Sequence, residues 1–238
     1  MMKIAIIKCD RVDPELAALF GEYPTMFVTQ LQKLSSDLSF SQFDALEQQL
    51  PQELEQFDGY IITGSRHNAY DNDPWILNLM NWVQQADQAK ARIAGICFGH
   101  QLIARALGGR VAKSAKGWGL GSTQVDIRQS PAWIQDAPSQ LTLWVSHQDQ
   151  VESVPDDLMA IAGNNFCPNF MLVKDSHIFT VQGHPEFTQG YTQKLLEKHT
   201  EQLSTERRAQ INASMHAQVQ SDIVLQWILR LFAQPHTA

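Results

Sequence analysis

Short runs of apolar residues alternate along the chain with longer stretches in which apolar positions recur every three or four residues. Ile4-Ala5-Ile6-Ile7 shows no polar alternation, which predicts a strand covered on both faces. Gly59-Tyr60-Ile61-Ile62-Thr63 repeats that pattern and stops at Gly64-Ser65, and Arg92-Ile93-Ala94-Gly95-Ile96 is a third such run. A late one spans His177 to Gln182. Between them, Trp75, Leu79, Trp82 and Val83 mark a helix within Pro74 to Lys90, and Phe98 to Leu107 reads as a second helix closed by Gly108-Gly109. Asp13-Pro14-Glu15 opens another, with Asp13 at the N-cap and Pro14 where its missing N–H is not needed. From Trp118 to about Thr180 the pattern is strand-rich, broken by turns at Ser130-Pro131, Val154-Pro155 and Gly163-Asn164-Asn165. The tail from Gly190 reads as helical and closes on Ile223, Trp227, Leu229 and Leu231.

Buried strands separated by helices predict an α/β fold, with a mainly parallel sheet and helices on both faces. We expect one domain over residues 1–238, with a C-terminal helical extension from about residue 190. A break near 115–120 would leave the first half of the sheet without its closing strands.

Composition narrows the function. Eighteen Lys and Arg against 25 Asp and Glu give a net charge of −7, which argues against nucleic acid or an anionic membrane as partner. Three cysteines without paired spacing make neither a disulfide framework nor a zinc cluster, and no metal or cofactor is expected. No apolar run reaches the roughly 18 residues of a membrane span. The apolar stretch near Met1 is cut short by Lys8, Asp10 and Arg11, which is too short for a signal peptide, so a cytoplasmic protein is expected.

The most informative stretch is Gly95-Ile96-Cys97-Phe98-Gly99-His100-Gln101, where a strand runs straight into a helix. A side chain at so tight a turn projects above the sheet, and glycines two positions to either side remove the Cβ atoms that would collide across it. The helix N-terminus favours a thiolate at Cys97. A thiol nucleophile needs a base, and the base an orienting group. Gln182-Gly183-His184-Pro185-Glu186-Phe187 follows a buried strand, which puts His184 at the same carboxyl edge of the sheet as Cys97. Glu186 lies two residues on, across a stiff Pro185, where it can hold the imidazole. His100 shares the elbow helix with Cys97 and is expected to point away from the sulfur; Cys9 and Cys167 lack flanking glycines and read as structural.

These two segments, with Ser146-His147-Gln148-Asp149 between them, resemble the class I (triad) glutamine amidotransferases, in particular the stand-alone branch similar to the amidotransferase domain of GMP synthetase. The resemblance runs from the first strand to about residue 190. It implies a flavodoxin-like fold and hydrolysis of the glutamine side-chain amide through a glutamyl thioester, with Cys97 as nucleophile, His184 as acid and base, and Glu186 as its orienter. An oxyanion hole would then use the backbone N–H of Phe98 and that of Gly64, and Gln101, Ser146 and His147 would contact substrate. Ser146 to Asp149 otherwise reads as a polar loop after a strand over Leu141 to Val145, and Trp118 as packing. Gly64-Ser65 is shorter than the glycine-proline loop of many such enzymes. Residues 66–73 form an exposed loop near the pocket. No phosphate-binding glycine loop is present, so ammonia would pass to a separate synthase subunit. The alternatives are a γ-glutamyl peptidase of the same fold, or a non-catalytic binding protein with a relic pocket.

Overall fold

The computed structural model describes residues 1–198 and 203–235. Its elements in chain order are β1 (Met2–Lys8), α1 (Pro14–Phe20), α2 (Tyr23–Leu34), β2 (Leu38–Asp44), β3 (Gly59–Ile62), α3 (Pro74–Gln88), β4 (Ile93–Ile96), α4 (Phe98–Ala106), β5 (Arg110–Lys113) and β6 (Gly119–Ile127). There follow β7 (Gln140–His147), β8 (Asp149–Ser153), β9 (Met159–Gly163), β10 (Met171–Lys174), β11 (Ile178–Val181), α5 (Gln189–Glu197), α6 (Thr205–Ser214) and α7 (Ser221–Phe232). Of the helical tail expected over about 190–238, residues 199–202 and 236–238 lie outside the described residues.

Nine strands form one sheet in the order β2-β1-β3-β4-β11-β10-β9-β6-β7, and β5 pairs with β8 beside it. The centre is parallel: β1 with β2 and β3, β3 with β4, β4 with β11. From β11 outward the pairing turns antiparallel, which accounts for the strand-rich middle of the sequence.

The uniform apolar runs are explained by burial on two sides. Ile4 and Ile6 of β1, Ile61 of β3, Ala94 and Ile96 of β4, and Phe179 and Val181 of β11 enter one core with Phe27 and Leu31 of α2 and Trp227 of α7. Ala5, Ile7, Tyr60, Ile62, Ile93 and Ile178 point to the other side, where Leu79 and Val83 of α3 and Leu102 and Ile103 of α4 cover them. The period-2 alternation of side chains is therefore present, but both faces read apolar. Helix α7 is integral to the first face: Phe232 lies so close to Gly59 that a Cβ there would sit 2.1 Å from its ring.

Three elements escaped the pattern: helix α2, edge strand β2 and the short β5. Helix α2 buries Tyr23, Met26, Phe27 and Leu31 at helical spacing. Strand β2 is an edge strand with no buried residue, and its polar Ser39, Ser41 and Gln42 hide the signal. The expected loop at Ser146 to Asp149 is corrected: Ser146 and His147 continue β7, paired with Leu120 and Gly119, and Asp149 starts β8. Cross-strand pairing overrides their polarity. No helix among the described residues is long and apolar enough to cross a membrane.

Candidate active site

Four neighbouring parallel strands end at one edge, and each delivers a segment there: β1 leads to Asp10, β3 to Gly64, β4 to Cys97 and β11 to His184. Cys97 is the N-cap of α4, with φ 52° and ψ −100°. A side chain in that left-handed region carries backbone strain of order 1–3 kcal/mol. The turn is held on both sides: Cys97 N–H donates to Val181 O at 2.8 Å, and its carbonyl accepts from Gln101 N at 3.1 Å. A Cβ on Gly95 would meet the Gly99 carbonyl at 2.8 Å, and one on Gly99 would meet Ile62 O of β3 at 2.4 Å. Gly99→Ala is therefore expected to cost about 2–3 kcal/mol in stability; an unchanged urea midpoint would contradict the crowding.

His184 is anchored by its backbone N–H, which donates to Trp144 O at 2.9 Å and ties the segment after β11 to β7. Its Nδ1 donates to Glu186 Oε1 at 2.8 Å, and Phe187 stacks on its ring at 3.9 Å with an interplanar angle of 6°. Glu186 is fully buried, and its second carboxylate oxygen has no partner among the described residues. Burial alone would lower the His184 pKa, but the Glu186 charge and the Cys97 sulfur within hydrogen-bonding reach outweigh it and push it up. The Glu186 charge thus favours the protonated form of the imidazole beside the sulfur.

Gly64 lies against the pair: a Cβ there would sit 2.9 Å from His184 Cε1 and 3.6 Å from Cys97 Cβ. Phe98 is the first residue of α4, where N–H groups lack partners within the helix. Gln101 donates to Asp149 O at 2.9 Å and to Gln182 Oε1 at 3.0 Å, and Gln182 Nε2 in turn donates to Cys97 Sγ at 3.5 Å. Ser146 and His147 face the same cavity. The ring Nδ1 of His147 donates to Asp149 O at 3.1 Å, and burial pushes its pKa down to about 4, so it is neutral.

His100 turns to the other side, its Nδ1 2.8 Å from Thr180 Oγ1 on β11, with burial pushing its pKa down to about 3. Cys9 and Cys167 are buried, and burial pushes both thiols up.

The cavity above Cys97 measures about 490 Å³. Gln101, Ser146, His147 and Asp149 form one wall, and Leu16, Tyr23, Phe187, Tyr191 and Leu195 the wall beyond His184. Arg66, His67, Asn68 and Tyr70 of the loop at 66–73 line it, and Trp118 reaches it besides packing toward Leu120. Sequence reasoning assigned no role to Gln182, Asp10, Tyr23 or Tyr191. Only for Gln182 was there a signal, its place at the end of a buried strand beside His184.

A strand-to-helix turn that sets a thiol beside a carboxylate-braced imidazole lies at the carboxyl edge of this α/β sheet. The family model described as glutamine amidotransferase class-I matches residues 20–203, and the chain belongs to that family. It is 31% identical over 176 residues to gamma-glutamyl peptidase 3 of Arabidopsis thaliana, covering 71% of this chain and 70% of that one. It is 32% identical over 105 residues to one component of the glutamine-hydrolysing GMP synthase of Methanoculleus marisnigri, covering 44% of this chain and 56% of that one. In fold it is similar to a solved glutamine amidotransferase of Thermotoga maritima, with a TM-score of 0.73 at 17% identity over 97% of this chain and 96% of the other.

Proposed function

We propose that the whole chain works as one amidotransferase-like domain and hydrolyses the γ-amide of glutamine through a glutamyl thioester on Cys97. The observation that carries this reading is Cys97 on its strained turn in reach of His184, whose Nδ1 is held by buried Glu186. The Cys97 thiolate attacks the γ-carbonyl carbon, and the C–O π pair moves onto oxygen. The backbone N–H groups of Phe98 and Gly64 receive that oxyanion. As the tetrahedral intermediate collapses, the C–N bond breaks, and His184 Nε2 gives its proton to the departing ammonia. Water then attacks the thioester, His184 takes the water proton, and glutamate leaves with the Cys97 thiolate restored. Gln101, Ser146 and His147 hold the amino-acid head of the substrate. In the cytoplasm such a thiol stays reduced. Ammonia released there would serve a separate synthase subunit; the likeness to one component of a GMP synthase supports that destination.

A second reading has an observation of its own. The cavity of about 490 Å³ is lined by Leu195 and Lys198 as well as by Cys97 and His184, and a similar protein is a gamma-glutamyl peptidase. In that reaction an amine-bearing residue takes the place of ammonia. Incubation with glutamine and with a set of γ-glutamyl dipeptides, reading released glutamate, separates the two. A glutamine-mimicking diazo-ketone is expected to label Cys97 alone. Release from none of these substrates and no labelling would support a relic pocket and overturn both readings.

A further inference from the structure

We propose that Asp10 is a positioning residue, which holds the loop carrying Gly64 against Cys97; this rests on the reading of Gly64 as an oxyanion donor. Strands β1 and β3 are parallel neighbours, with Ile7 beside Ile62, and the chain beyond each runs to the site edge. Cys9 N–H donates to Thr63 Oγ1 at 3.0 Å, and Thr63 Oγ1 donates to Gly64 O at 3.1 Å. The decisive link is one residue on. Asp10 Oδ2 accepts from the backbone N–H of Arg66 at 2.7 Å and from its Nε at 3.0 Å. Asp10 Oδ1 accepts from Arg66 Nη2 at 3.0 Å and from Arg11 N at 2.7 Å. Arg66 Nη2 also donates to Arg11 O at 3.2 Å, so the guanidinium spans both loops.

Asp10 is only 2% exposed, whereas the Arg66 side chain is 71% exposed. A buried carboxylate is a poor route to stability, since apolar residues of similar volume do as well. What the charge supplies is direction: a planar fork met by two oxygens, plus a main-chain N–H, admits one geometry. That N–H lies two residues past Gly64. Donors to an oxyanion must be held within about 0.5 Å of their place. Asp10 is not among the residues that line the cavity, so it acts through the loop rather than on substrate.

The test compares Asp10→Asn, which keeps the volume and loses the charge, with Asp10→Ala and Arg66→Gln, each checked by thermal melting. Two rates are read: turnover of glutamine or a γ-glutamyl dipeptide, whichever the wild type hydrolyses, and alkylation of Cys97 by iodoacetamide. Alkylation displaces iodide at a saturated carbon, so it needs the thiolate but no oxyanion hole. In the Asp10 variants a displaced donor is expected to lower kcat roughly 10- to 100-fold, with KM and the alkylation rate within about twofold of wild type, while Arg66→Gln, at a residue that lines the cavity, is compared on kcat and alkylation alone. Wild-type kcat in a folded Asp10→Asn variant overturns the proposal. So does a parallel fall in alkylation, which would mark a general loosening of the site. Should Asp10→Ala not fold, Asp10→Asn and Arg66→Gln carry the comparison. A wild-type protein that releases no glutamate from any substrate overturns the functional reading itself.

Discussion

Cys97→Ala is expected to lower kcat by about 10⁴–10⁶-fold and to leave the melting curve close to wild type. The size follows from the unit character of the site. With the sulfur gone, His184 has no nucleophile to serve, and only binding and the oxyanion donors remain. Stability is expected to hold because alanine keeps the Cβ and therefore the same strained φ of 52°. Cys97→Gly sharpens the contrast. Glycine adopts a positive φ freely, so this variant is expected to be as inactive as alanine and more stable by about 1 kcal/mol. The paired measurement is glutamate release and thermal unfolding on both variants. Turnover retained in Cys97→Ala would move the nucleophile elsewhere, and an unaltered Cys97→Gly melt would show that the turn stores no strain.

Glu186→Gln is expected to change the pH profile as well as the rate. The Glu186 charge is what offsets the burial that would otherwise depress the His184 pKa. Neutralising it leaves burial as the larger influence, so the imidazolium is expected to lose its proton at lower pH. Activity that depends on a protonated His184 is present below that pKa and lost above it. The upper limb of the pH–rate profile should therefore move to lower pH in Glu186→Gln. Rate at the optimum is expected to fall about 10²–10⁴-fold, less than the 10⁴–10⁶-fold expected for His184→Ala, since an orienting group is worth less than the proton carrier. A full kcat profile on the two variants checks this. An unshifted upper limb would mean that Glu186 does not set the charge on His184, and equal losses would give Glu186 a larger part than orientation.

The centre of the sheet was legible because Ile4 to Ile7 of β1 and all of β3, β4 and β11 are buried and almost wholly apolar, and two covered faces leave no other solution for so short a run. The Cys97 turn was legible because part of its requirement is local: a Cβ on Gly95 would meet the Gly99 carbonyl within one strand-to-helix unit, although the crowding at Gly99 comes from Ile62 of β3. His184 and Glu186 were legible as a pair because a single proline separates them. Edge strand β2 was not, since none of its side chains is buried and its polar Ser39, Ser41 and Gln42 interrupt the apolar pattern, and neither was β7 through Ser146 and His147, since strand pairing there outweighs polarity.

By itself, then, the order of residues determined the parallel sheet, its carboxyl-edge loops, and which thiol, imidazole and carboxylate carry chemical promise. Those are outcomes of short-range sterics and of burial, and both are written into neighbouring positions. Only the tertiary structure decided that Asp10 grips Arg66, 56 residues away, that Gln182 reaches Cys97, and that Tyr23 and Tyr191 line the same cavity. Contacts of that kind join separate strands and helices through side-chain geometry, and no periodicity along the chain reports which loop will lie beside which.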